Sequence, residues 1–121
     1  GIFQLKRRWG GHVYDGWSRD SLFFLPINLG QANLGFLTRH PLIARCRQGL
    51  VGKVFLGTEP IQPDDVARAE LVYATAGLQA IRLYSLQRPG PAALDAARAT
   101  PGIELVDLSC EAQPAAAYCR C

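Results

Sequence analysis

The segment 42-LIARCRQ-48 places two guanidiniums, Arg45 and Arg47, at alternate positions around Cys46. Alternate residues of an extended strand share a face, so the spacing predicts both arginines on one side and Cys46 on the other. A guanidinium pair suits bidentate contact with phosphate or carboxylate. It also suits a strand end in water, where most arginines sit. A second cationic group, Lys6, Arg7 and Arg8, adjoins Trp9. Cations beside an aromatic ring fit nucleic acid, a partner chain or a membrane surface, or else a solvated terminus.

Other reactive side chains are scattered. Asp15, Asp20 and Glu59 are the acids of the first half. They are candidate ligands for a hard cation, although Asp15 before Gly16 also fits a tight turn. Cys46, Cys110, Cys119 and Cys121 are four thiols, three of them in the last twelve residues. Thiolates bind zinc, but the C-x8-C-x-C spacing departs from the usual knuckle, so a disulfide or free thiols rank ahead of a metal. The uneven spread favours reduced cysteines in an intracellular domain. His12 and His40 have no spaced partner for a triad, and 87-QRPGP-91 lacks the lysine and spacing of a phosphate loop.

The elements that must position these residues fit one domain. The chain has 121 residues, 49% of them hydrophobic, and a formal net charge of +3. That length supports one compact core, and the mild positive charge permits nucleic-acid binding without requiring it. The chain begins at Gly1 and has no methionine, which reads as a piece of something longer. The segment 1-GIFQLKRRWGG-11 lacks the apolar stretch of a signal peptide, and no apolar run is long enough to span a bilayer.

The first half reads as strands at 11–16, 21–27, 32–38, 41–47 and 51–57, separated by turn residues that include Gly16 and Gly49. The second half alternates. A helix is predicted over 61–77, with Pro63 in its first turn, Asp64 and Asp65 at its positive end and Gly77 as its stop. Val66, Ala69, Leu71, Val72, Tyr73 and Ala76 are its expected apolar face. A strand at 79–86, a helix at 91–100 and a strand at 103–109 follow. Strands joined by a helix of about ten residues argue for parallel crossovers. The tail 110-CEAQPAAAYCRC-121 has no clear period and reads as an irregular extension.

In this order, 64-DDVARAELVYATAG-77, 80-AIRLYSL-86, 91-PAALDAARAT-100 and 103-IELVDLS-109 resemble the Mrr-like branch of the restriction-endonuclease superfamily. The likeness covers residues 32–108. It implies a nuclease-like α/β fold and places Asn33, Arg45 and Arg47 where that family carries an acid, a Gln or Glu, and a lysine. All three positions depart from the pattern. A magnesium site needs oxygen ligands, and an amide with two guanidiniums would hold a phosphate rather than a cation.

The expectation is therefore an α/β domain over residues 1–109, a small mixed sheet flanked by helices and restriction-endonuclease-like, with a cysteine-bearing extension at 110–121. Its expected role is a non-catalytic module that binds DNA or other nucleic acid or scaffolds a larger complex. Lys6, Arg7, Arg8, Arg45 and Arg47 would make the contacts, with no cofactor and a cytoplasmic location. One alternative is an active nuclease that uses Mg²⁺ on displaced acids. Another is a protein-interaction domain with an exposed apolar patch at 22-LFFL-25 or 34-LGFL-37.

Overall fold

A computed structural model of the protein describes residues 31–73 and 76–121. Eight elements follow one another: α1 (Gln31–Arg39), β1 (Leu42–Cys46), β2 (Gly49–Phe55), α2 (Pro63–Tyr73), β3 (Leu78–Ser85), α3 (Pro91–Ala99), β4 (Ile103–Asp107) and α4 (Pro114–Cys119). The four strands form one mixed sheet in the order β1-β2-β3-β4. β1 and β2 are antiparallel, and β2, β3 and β4 run parallel. The predicted crossovers are present. The strands expected at 11–16 and 21–27 lie outside the described residues.

The hairpin depends on Gly49. Cys46 pairs with Gly49 across the Arg47-Gln48 turn, and Gly49 has φ +124°. A Cβ there would come within 2.7 Å of the Gln79 side chain. Conformation and space both demand glycine. Helix α2 begins as its sequence implies, with the Asp65 carboxylate accepting the Gln62 N–H at 2.8 Å. Gly77, with φ +100°, follows the helix and turns the chain into β3.

Strand alternation gives the sheet two covered faces. On the first, Val54, Ile81, Leu83 and Ile103 pack against Val66 and Ala69 of α2 and Ala93 of α3. On the second, Phe55 and Tyr84 pack against Leu37 of α1 and Ala117 and Tyr118 of α4. The result is three layers, helix on sheet on helix. The predicted apolar face of α2 is narrower than its sequence implies. Val66 and Ala69 are buried, whereas Leu71 is 73% exposed.

Three expectations fail. Residues 32–38, read as a strand, belong to helix α1, so Asn33 stands on a helix and not at a strand position. The segment 34-LGFL-37 is no exposed patch, because Leu37 is fully buried and Leu34 and Phe36 pack against the same core. The tail is not irregular either. Pro114–Cys119 is helical, and Tyr118, 1% exposed, is among the largest buried side chains.

Candidate functional site

The hairpin end of the sheet carries the two arginines that opened the sequence reading. Strand β1 ends at Cys46, so Arg45 lies in the strand and Arg47 in the turn. The strict alternation that would set both on one face stops between them. Both are exposed, and Cys46 faces the core opposite to Arg45. Cys46 is disulfide-bonded to Cys121, with their Cα atoms 5.3 Å apart. This overturns the expectation of reduced thiols for that pair. The Cys121 sulfur also lies 3.4 Å from the Arg45 carbonyl oxygen. The cross-link thus ties the C-terminal tail, remote in sequence, to the hairpin that carries Arg45 and Arg47. The exposed Arg120 pairs with Glu111 at 3.0 Å.

Farther along the sheet, level with Leu42 at the start of β1, lies a polar row that the sequence reading missed. Lys53, Arg82 and Glu104 are direct neighbours across β2, β3 and β4 on the second face. Lys53 is only 4% exposed. Its ammonium donates to the carbonyl oxygens of Tyr118, at 2.6 Å, and Arg120, at 2.8 Å, at the C-terminal end of α4. A helix C-terminus carries partial negative charge and suits a cation. The ammonium also lies 5.5 Å from the Tyr118 ring centre and 5.8 Å from that of Tyr84. Burial lowers the Lys53 pKa below its ordinary value; Cys119 opposes that shift and Arg82 adds to it.

Arg82 donates to Glu104 at 3.0 Å. Burial works against its charge, but the bonds to Glu104 and Tyr84 prevail and its pKa is raised. Arg82, Tyr84, Glu104, Glu111, Arg120 and Cys121 line much of a cleft of about 310 Å³ between α4 and the sheet. One signal for this row was in the sequence: a lysine inside the otherwise apolar strand 50-LVGKVFL-56.

The remaining candidates do not converge. Lys6, Arg7, Arg8, Trp9, His12, Asp15 and Asp20, with the 22-LFFL-25 segment, lie outside the described residues. Glu59 is exposed in the loop after β2, at the opposite end of that strand from the Arg47 turn. A seven-residue strand separates those ends by roughly 20 Å. His40 is exposed, stacks on Phe36 and meets the Phe36 carbonyl at 2.8 Å through Nδ1. The proposed zinc set is divided, since Cys46 and Cys121 are cross-linked while Cys110 and Cys119 are exposed free thiols. Among the described residues, no group of three or more His, Cys, Asp or Glu side chains could hold a metal ion. Nor is any helix among them long and apolar enough to cross a membrane.

Fold and site together define an α/β domain with a four-stranded mixed sheet, a cationic hairpin end and a buried lysine under its last helix. No protein-family description, curated protein or solved structure matches the chain.

Proposed function

We propose that this domain is a non-catalytic binding module that grips the phosphate backbone of nucleic acid at the hairpin end of its sheet. One observation carries the reading: Arg45 and Arg47 are both exposed there, at the end of β1 and in the turn that follows it. Guanidiniums grouped on one edge suit phosphate oxygens. The order α2-β3-α3-β4 is that of the four segments on which the resemblance to degenerate Mrr-like nucleases rests, while the segment aligned with that family's acid-bearing strand is helix α1. On this reading the domain works inside a longer chain or a complex, and Lys6, Arg7 and Arg8 add further phosphate contacts. It resides in the cytoplasm, where a disulfide is a redox-dependent tie rather than a permanent one.

The test is fluorescence anisotropy of labelled duplex DNA at several salt concentrations, with the protein kept oxidised. Each lost phosphate contact flattens the log–log salt slope by about 0.9, so Arg45→Ala with Arg47→Ala flattens it by about 1.8. The weakening is nearly uniform across DNA sequences. Unchanged affinity and slope in that double variant would sink the assignment. The same samples run on a gel with Mg²⁺ report on the nuclease alternative, because intact DNA is the expected result.

A further inference from the structure

The burial of Lys53 is a poor choice for a purely structural position. Removing an ammonium from water costs several kcal/mol by general estimate, and an apolar side chain of similar length would fill the space without that cost. Among the described residues, Lys53 has no carboxylate partner. Its hydrogen bonds go to main-chain oxygens of Tyr118 and Arg120, at the end of α4. Helix α4 has only six residues, too few to be stable without its packing. Three things hold it down: the Tyr118 ring against Tyr84 and Phe55, the two Lys53 bonds, and the Cys46–Cys121 bridge that ties the residues after it to β1.

We propose that the Cys46–Cys121 disulfide is a latch whose reduction frees α4 from the sheet and uncovers Lys53 and Arg82 as a second phosphate-binding site. The identity of the ligand rests on the nucleic-acid reading above; the latch itself does not. The tail's carbonyl oxygens occupy Lys53 as a ligand's oxygens would. Arg82 is the direct neighbour of Lys53 on β3 and faces the same way, with its side chain 13% exposed. Adjacent strands stand about 4.8 Å apart, close enough for both cations to meet one phosphate or two successive ones. Glu104 holds one side of Arg82 and marks the acidic limit of the site.

The chemistry needs an external dithiol. One of its thiolates attacks the exposed Cys121 sulfur, breaks the bond to Cys46 and releases the buried Cys46 as a thiolate that takes a proton from water. The second thiol of the reductant then displaces Cys121 and closes the reductant into its own disulfide. Two electrons and two protons pass to the protein. Cys46 is 8% exposed, so Cys121 is the accessible side of the bond.

The chain supplies its own probe, because Lys6 and Lys53 are its only lysines. The oxidised protein, the protein reduced with dithiothreitol, and Cys121→Ser without reductant are each labelled with an amine-acylating ester and mapped by mass spectrometry. Amide hydrogen exchange is followed in parallel. The expected result is labelling of Lys53 at least tenfold faster, relative to Lys6, in the reduced and Cys121→Ser proteins, while the β2–β4 amides stay protected. The DNA salt slope then steepens by roughly 1–2, one step of about 0.9 for each new contact. Unchanged Lys53 labelling with both cysteines alkylatable overturns the latch. Loss of β2–β4 protection overturns it too, since the whole domain has then opened. Faster Lys53 labelling with an unchanged salt slope overturns the second site. Failure of Arg45→Ala with Arg47→Ala to weaken DNA binding in the oxidised protein overturns the nucleic-acid reading separately.

Discussion

Replacing Cys121 by serine removes a cross-link between residues 75 positions apart. In the chain-entropy view, a disulfide stabilises by restricting the unfolded chain, and a closed loop of that length corresponds to about 4.5 kcal/mol at 25 °C. Domains of this kind have total stabilities of roughly 5–15 kcal/mol, so the loss is a large share of the whole. At about 3–5 °C per kcal/mol, the melting temperature falls by about 14–23 °C. The assay is thermal and guanidinium unfolding followed by far-ultraviolet circular dichroism, for Cys46→Ser, Cys121→Ser, the double variant, and the wild type with and without dithiothreitol. The single and double variants should agree within error, because each removes the same bond and their effects cannot add. Dithiothreitol should bring the wild type to the same midpoint and leave the variants where they are. Additive losses, or a wild type indifferent to reductant, would refute the reasoning. The first would mean that the two cysteines act through separate contacts, and the second that the bridge contributes nothing.

Ser85 is fully buried; its hydroxyl donates to the Glu59 carbonyl at 2.6 Å and accepts the Gln87 N–H at 3.1 Å. Ser85→Ala leaves those groups unsatisfied and should cost about 1–3 kcal/mol in denaturant titration. The Tyr118 hydroxyl is buried with no hydrogen-bond partner among the described residues, and burial raises its pKa. Tyr118→Phe should therefore leave stability unchanged or increase it by about 1 kcal/mol, whereas Tyr118→Ala should cost about 3–5 kcal/mol by the same titration. The Asp107 carboxylate accepts the Ser109 N–H at 2.8 Å; its bonds to Ser109 hold its pKa below 3.8, with Arg88 adding to the effect. Its stabilising contribution is complete above about pH 3.8 and fades as pH falls through the lowered value, because the unfolded chain then binds the proton more readily. Asp107→Asn should remove that part of the acid sensitivity, as read from unfolding midpoints at pH 5 and pH 2.5.

Local chemistry alone determined the second half of the fold. Pro63 with Asp64 and Asp65, Pro91, Gly77 and the alternation of 79–86 each act within a few residues, so helix, strand, helix and strand were legible in order. The Gly49 turn was legible for the same reason. The segment 32–38 was not, because a short apolar run fits a strand and a buried helix equally well. Packing of Leu37 beside Phe55 and Tyr84 decided it. For the tail, Pro114 and three alanines carried too weak a period to show a helix, and its burial depends on strands far away in sequence.

The candidate site divides in the same way. Arg45 and Arg47 were visible as exposed cations, since exposure at a strand end follows from charge and position. Only tertiary structure could tie the tail to their hairpin, because the Cys46–Cys121 pairing is one of several that four cysteines allow. Likewise, nothing near Lys53 in sequence satisfies its charge. Its partners are carbonyl oxygens 65 and 67 residues away, and only the folding of α4 over the sheet supplies them.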